Sequence, residues 1–342
     1  MPTVIPSGLG ATLGFASETT VGTFVAPNRW PQFDKEGLSL KKKVVQSAGL
    51  HGGLYELAAR RAYTTRSADG PVDLDVTDRQ MGLLFQQSLG STAPVITTPV
   101  AGATSMVFAP GDTTGMAMSV QVGRPTTAGA IQAFSYPGCK VTDWELSVAV
   151  DQIAKLALTL DSWDEVTAEA YAAASYVDTN VLHFAEGNLL LGGTLTTTAG
   201  VTTVAGATAL PVVTSASIKG ANALNTNRYF LGADGKKAEQ LADGWRKLTG
   251  SIEAEFENLT DAYEAFAADT ATALELTFTG QPIGATAINA SLSILVPNIH
   301  WEEGPPHADG PAVLSQKLSF TGLDDGTNNP VQITYVTADT AP

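Results

Sequence analysis

The sequence predicts a mainly β protein made of two tandem β-sandwich or β-barrel units, each with a short flanking α-helix. Three observations carry this. Only 15% of the 342 residues are charged, and Thr, Ala, Gly and Ser take the place of charge, a composition suited to short strands and many turns. Segments of strict apolar/polar alternation recur along the chain. Two of them, 180 residues apart, repeat each other. The length also accommodates two ordinary domains of about 100–200 residues.

Taken in order, Val72-Asp73-Leu74-Asp75-Val76 puts apolar side chains on one face and carboxylates on the other, the mark of a strand with one buried face. Thr77 to Phe85 predicts a helix, with Thr77 as N-cap, Gln80 at capping-box spacing, and Met81, Leu84 and Phe85 at i, i+3 and i+4. Trp144, Leu146, Val148 and Val150 alternate with Asp143, Glu145 and Ser147, and Ile153–Asp161 follows as a second strand. In the second half, Ile252–Glu257 repeats the acidic strand. Thr260–Phe266 repeats the helix, with Thr260 as cap and Tyr263 and Phe266 on one face. Leu274–Thr279, Ala290–Val296 and Val313–Thr321 complete the predicted strands.

The offset of 180 is constant. Gly70 matches Gly250, Val72 matches Ile252, Asp73 matches Glu253, Asp75 matches Glu255, and Arg66 matches Arg246 just upstream. Each acidic strand follows a polar, Gly-containing stretch, Lys41–Ser67 or Lys219–Thr249, and precedes a strand pair, Lys140–Asp161 or Ile288–Leu323. Duplication explains this shared order. It predicts a first unit over 1–161, an Ala-rich link over 162–179, and a second unit over 180–342. The second unit carries a Thr/Gly-rich insert at 192–215 that reads as a hairpin, and Ser91–Thr104 is a shorter insert of the same character.

Net charge is −15, unevenly spread: residues 1–90 sum to +1 and residues 91–342 to −16. That sign argues against a dedicated nucleic-acid or membrane binder, which needs Lys and Arg to meet phosphate. The single cysteine, Cys139, allows no intrachain disulfide and fits folding in a reducing cytoplasm. Met1–Ser17 does not read as a signal peptide, and no apolar run approaches the roughly 18 residues of a membrane span.

No motif for catalysis emerges, so neither an enzyme nor a cofactor is expected. Gly232-Ala233-Asp234-Gly235-Lys236-Lys237 lacks the spacing and hydroxyl of a phosphate loop, and the Gly8–Gly14 run is out of step with a dinucleotide fingerprint. His300-Trp301-Glu302-Glu303-Gly304-Pro305-Pro306-His307-Ala308-Asp309 holds five potential metal ligands. Its Pro-rigid, polar character reads better as a solvated loop, so no metal is expected. Two alternatives stay open: a metal-dependent enzyme using that loop, and a carbohydrate-binding or adhesive β-sandwich. The second requires an exposed aromatic platform, whereas Trp144, Phe256 and Phe278 fall on predicted core faces.

The order of several loose patterns adds a resemblance. Gly14-Phe15-Ala16-Ser17-Glu18-Thr19-Thr20-Val21-Gly22-Thr23-Phe24-Val25-Ala26-Pro27 is followed by Leu38-x-Leu40, Ser47-Ala48-Gly49-Leu50, Arg60-Arg61 and Gly70. Phe134-x-Tyr136-Pro137-Gly138-Cys139-Lys140-Val141 comes next. Then come Tyr229-Phe230-Leu231-Gly232, Gly250-x-Ile252-x-Ala254-x-Phe256 and Leu295-Val296-Pro297. Together these resemble the major tail tube proteins of long-tailed (siphovirus-type) bacteriophages. The insert at 192–215 and the acidic C-terminal tail depart from the pattern.

The resemblance implies tail-tube-type β-sandwich units whose inner sheets join into a barrel around a channel, in rings that stack into a tube. It implies a homo-oligomer of the virion tail, assembled in the host cytoplasm. The tube meets tail terminator and distal tail proteins, encloses the tape-measure protein, and then passes double-stranded DNA without binding it specifically. On this reading Asp73, Asp75, Glu253 and Glu255 line the channel. Lys41, Lys42, Lys43, Leu50, Leu54, Tyr55, Arg60, Arg61, Arg66 and Arg246 belong to arms that reach a neighbouring subunit or ring. Two units per chain imply three chains per ring with pseudo-sixfold symmetry, with a six-chain ring as the alternative.

Overall fold

The computed structural model describes residues 5–259, 262–303, 308, 310–311 and 313–342. The first half contains β1 (Thr12–Ser17), β2 (Phe33–Glu36), β3 (Ser39–Gln46), β4 (Arg61–Asp75), helix α1 (Gly82–Leu89), β5 (Val95–Val100), β6 (Ala103–Phe108), β7 (Met118–Pro125), β8 (Ile131–Ala149) and β9 (Lys155–Ser162). The second contains β10 (Gly187–Leu191), β11 (Thr194–Thr198), β12 (Val201–Ala205), β13 (Thr208–Ala209), β14 (Val213–Ala221), β15 (Leu224–Asn225), β16 (Leu241–Ala242) and β17 (Lys247–Glu255). It continues with helix α2 (Tyr263–Ala267), β18 (Thr272–Pro282), β19 (Asn289–Trp301), β20 (Ser315–Gly322) and β21 (Gln332–Thr337). The protein is mainly β, as its alternating pattern predicts.

One antiparallel sheet runs β3-β4-β9-β8-β14-β17-β20. It crosses from the first half to the second through the β8–β14 ladder, from Asp143↔Ala221 to Ala149↔Ser215. Strand β8 is long enough to serve two layers. Its later residues pair with β9, while its earlier ones pair with β7, which in turn pairs with β1. Strand β19 does the same with β20 at its end and with β18, then β10, at its start. The core between the layers is continuous, from Leu13 and Leu74 through Trp144 and Ile218 to Phe320 and Tyr335. Expected strand faces account for much of it: Val72 and Leu74, Leu146, Ile252 and Ala254 are all buried.

The pairing scheme of the first half recurs in the second, including two of its bulges. The β2–β4 register slips between Phe33 and Lys35, and β14–β17 slips between Val213 and Ser215, 180 residues on. The β7–β8 slip lies opposite Tyr136 and Cys139. The β18–β19 slip lies opposite Val296 and Ile299, an offset of 160. Pro137 and Pro297 each sit inside their slip, where a bulge already interrupts the ladder and a missing N–H is tolerated.

The repeated glycines have the same cause. A Cβ on Gly70 would lie 2.2 Å from the Gly37 carbonyl oxygen, and one on Gly250 would lie 2.5 Å from that of Ser217 and 2.2 Å from the Phe320 ring. Both face the same place on the adjoining strand, since Gly37 and Ser217 are also 180 residues apart. Gly250→Ala is therefore expected to cost about 1–3 kcal/mol through overpacking, read as a lower denaturant midpoint for the isolated subunit.

Two expectations need correction, and a third falls partly outside the described residues. The first helix begins at Gly82, not after Thr77. The Thr77 hydroxyl donates to the Arg79 carbonyl (2.8 Å), and Gln80 takes φ +70° while its side-chain oxygen accepts from the Trp30 amide (3.0 Å). A local side-chain bond thus wins over the cap. The second helix is Tyr263–Ala267, and its expected cap Thr260 lies outside the described residues. The insert at 192–215 does hold the β11–β12 hairpin, but its last residues already belong to β14 of the main sheet. The C-terminal segment supplies β21, which joins β19 to β6 and so ties the two halves in the second layer as well.

Candidate functional site: the polar sheet face and the two arms

Alternation on β4 and β17 directs Val72, Leu74, Ile252 and Ala254 into the core, so Asp73, Asp75, Glu253 and Glu255 share the opposite face. Because β8–β14 makes the sheet continuous, the four carboxylates lie on one polar surface that spans both halves. Sequence reasoning did not foresee that lysines interleave with them. Lys155 is held by Asp34 and Asp75 (2.5 Å each), and Lys219 by Glu145 (3.1 Å). Burial pulls the Lys155 ammonium down, but its hydrogen bonds to the two carboxylates outweigh this and raise it. Glu253 lies opposite Lys317 in the β17–β20 register.

The two polar stretches differ from their expected form. Lys41, Lys42 and Lys43 sit in β3, and Arg61 and Arg66 in β4, so the first arm proper is residues 47–60. Leu50, Leu54 and Tyr55 are fully exposed on it. Arg60 packs over Gly49, where a Cβ would lie 2.3 Å from its guanidinium. Lys42 lies over the Tyr63 ring at 5.4 Å. Arg66 is paired with Asp164 (2.6 Å). Arg246 points inward: its guanidinium donates to the Leu89 (3.0 Å) and Gly111 (2.6 Å) carbonyls, and burial lowers its pKa. Both arginines therefore brace the chain internally.

The second arm, residues 222–246, lies against the first half and builds a buried polar cluster there. Lys237 pairs with Asp161 (2.5 Å), both nearly fully buried. The Gln240 amide donates to Gly138 O (3.2 Å) and Asp161 O (2.9 Å), and its oxygen accepts from the Trp163 indole (3.1 Å). Lys140 donates to Glu239 (2.7 Å), Thr113 O (2.7 Å) and Gln240 O (2.9 Å). The Arg66 amide donates to Gly235 O (3.0 Å), and Arg66 and Lys236 form a parallel bridge. Burial raises the Asp161 carboxyl despite Lys237, and burial lowers Lys140 despite Glu239. The sequence offered no signal for this cluster, because Lys237 and Asp161 are 76 residues apart.

At the metal candidate, His300 Nδ1 contacts Asp269 (2.8 Å) and the Ser319 hydroxyl donates to Glu303 (3.3 Å), while Gly304–His307 and Asp309 lie outside the described residues. Among the described residues no three His, Cys, Asp or Glu side chains gather as metal ligands. Trp144 and Phe278 are buried and Phe256 is half-buried, whereas Trp245 is 93% exposed beside the second arm. Among the described residues no helix is long and apolar enough to cross a membrane.

A two-layered β protein with a continuous polar sheet face and one projecting arm is a structural subunit in form. The family model for phage tail tube proteins matches residues 8–322, nearly the whole chain, and the protein belongs to that family. No curated protein matches it. Membership makes it a structural component of the virion tail that stacks into a tube, and points to a non-enzymatic role.

Proposed function

We propose that the chain is a tandem ring subunit of the tail tube, with tube-type units at 1–161 and 180–342 joined by 162–179, and that three chains close one ring with pseudo-sixfold symmetry. The observation that carries this is the β8–β14 ladder, which already joins one half's sheet to the other's within a single chain. In the recurring pairing scheme β2 and β3 stand where β14 stands, and among the described residues β3 pairs only with β4. The end of β19 and the two residues after it, 299–303, stand where residues 139–143 of β8 stand, so Glu303 has the place of Asp143, the first β8 residue of that ladder; the counterparts of most of the rest lie outside the described residues. Repeating the β8–β14 junction between the stretch that begins at Glu302 and Glu303 in one chain and β3 of the next removes a free sheet edge, an aggregation hazard, and closes the sheet into a barrel. Stacking one ring face on the next is heterologous and gives a filament.

The polar face with Asp73, Asp75, Glu253 and Glu255 then lines the channel, around the tape-measure protein and later the DNA. Lysines on that face hold few phosphates, because Lys155 and Lys219 are already claimed by carboxylates, and this keeps the DNA contact weak and unspecific. Cryo-electron microscopy of assembled tubes tests the reading. The expected map shows three chains per ring and alternating, non-identical inner units. Six chains per ring, with identical inner units, or these four carboxylates on the outer wall would overturn it.

A further inference from the structure

The second arm fills a particular place. Strand β9 ends at Ser162, and beyond it Gly235 and Lys236 take over beside β4 at Arg66. The counterpart place in the second half lies beside β17 at Arg246, beyond the end of β20 at Gly322, by offsets of 180 and 160 residues. There the structure holds an apolar cleft of about 530 Å³, lined by Gly244, Trp245, Arg246, Leu248 and Leu323 among others. Gly244, Arg246 and Leu323 are the counterparts of Thr64, Arg66 and Trp163, all of which touch the second arm in the first half. Residues 227–240 of that arm have residues 47–60 as their counterpart, and these project Leu50, Leu54 and Tyr55 into solvent.

We propose that this cleft receives the 47–60 arm of the neighbouring chain in the ring. The inference rests on the reading of the chain as a tandem ring subunit and adds the partner surface to it. Paired differences between the two places support it. In the first half a Cβ on Gly235 would lie 2.5 Å from the Thr64 carbonyl oxygen, so bulk there is excluded. In the second the sizes exchange: Tyr55 replaces Gly235, and Gly244 replaces Thr64. Among the described residues a Cβ on Gly244 would meet only the Ala223 Cβ, at 3.4 Å. The buried Lys237–Asp161 ion pair is replaced by Leu57 and Thr321.

Gln240, which donates to the Gly138 carbonyl, is replaced by Arg60, and Gly138 by Asn298. The Asn298 Oδ1 is buried and has no hydrogen-bond partner among the described residues, and a guanidinium arriving there would supply one. The exchange of a buried ion pair for apolar contact suits a joint made between separate chains, where each encounter would otherwise have to desolvate paired charges.

The test is a disulfide between chains. Tyr55→Cys and Gly244→Cys are introduced together. The native Cys139 is buried and burial keeps its thiol protonated, so it stays in place. Mild oxidation of assembled tubes is expected to give dimers and trimers on a non-reducing gel, with the ladder stopping at three, and Tyr55→Cys alone is expected to give none. Tubes that form without cross-links would overturn the docking and leave the ring reading standing. A ladder running past three would overturn docking within a three-chain ring. Failure of the wild-type protein to form any ring or tube would overturn the ring reading and the docking with it. A second measurement needs no cysteine: the difference in fluorescence between wild type and Trp245→Phe is expected to shift to the blue on assembly. An unchanged Trp245 emission would overturn the proposal even if the cysteine variant failed to fold.

Discussion

Lys237→Met is expected to cost about 3–5 kcal/mol of subunit stability, because it strands the Asp161 carboxylate in a site nearly closed to water. Gln240 still donates to Asp161, but a neutral amide does not replace an ammonium at 2.5 Å. Changing Asp161→Asn as well should recover most of the loss, since an uncharged pair needs no counter-ion. The pH dependence has a defined sign. Burial raises the Asp161 carboxyl above its ordinary value even with Lys237 present, and removing the ammonium raises it further. The folded state then binds the proton more tightly than the unfolded one. The variant's deficit therefore shrinks as pH falls toward the ordinary aspartate range and is largest above the raised folded value. Denaturant unfolding followed by Trp163 fluorescence measures both, since its indole bonds to Gln240 within the cluster. A Lys237→Met subunit as stable as wild type at neutral pH would show that Asp161 is not shut off from water by the second arm.

How much of this was legible in the sequence follows from what each feature depends on. Strands with one buried face write a period of two into the chain, so β4, β8 and β17 were readable from Val72-x-Leu74, Trp144-x-Leu146 and Ile252-x-Ala254. Gly70 and Gly250 were readable as a repeat because the same close approach excludes a Cβ in both halves. The helix start was not, because the Thr77 hydroxyl has two local partners on offer and the sequence does not say which wins. Features set by distant pairing were not readable either. The counterpart of β1 is β10, where only the ladder partners Leu13↔Val122 and Leu189↔Leu276 reveal the match. Nothing in the sequence around Trp245 sets it apart as exposed. Its exposure follows from the cleft beside it, and that cleft exists only once β17 and β20 are in place.

Reversing the charge of β3, by Lys41→Glu, Lys42→Glu and Lys43→Glu together, is expected to leave the subunit folded and to prevent tubes from forming at low salt. The register of the β8–β14 ladder names the partners. It pairs Asp143 with Ala221, whose counterparts are Glu303 and Lys41; one step further along, Lys42 meets Glu302. A basic strand edge thus faces an acidic one at the proposed junction between chains. Within one chain these lysines hold little: Lys41 reaches Asp69 only at 3.5 Å, with both side chains half exposed, so the fold should lose no more than about 0.5 kcal/mol. At the junction each exposed pair is worth about 0.2–1 kcal/mol, and reversal turns attraction into repulsion of similar size. Two pairs then weaken one junction by roughly 0.8–4 kcal/mol, or about four- to several-hundredfold, and every junction of the ring carries the same defect. The companion variant Glu302→Lys with Glu303→Lys should restore tubes to the triple variant. The defect should also fade toward 1 M salt, where the screening length falls to about 3 Å. Negative-stain counts of rings and tubes against salt measure both effects, and full assembly of the triple variant at low salt would rule out β3 as the edge that joins one chain to the next.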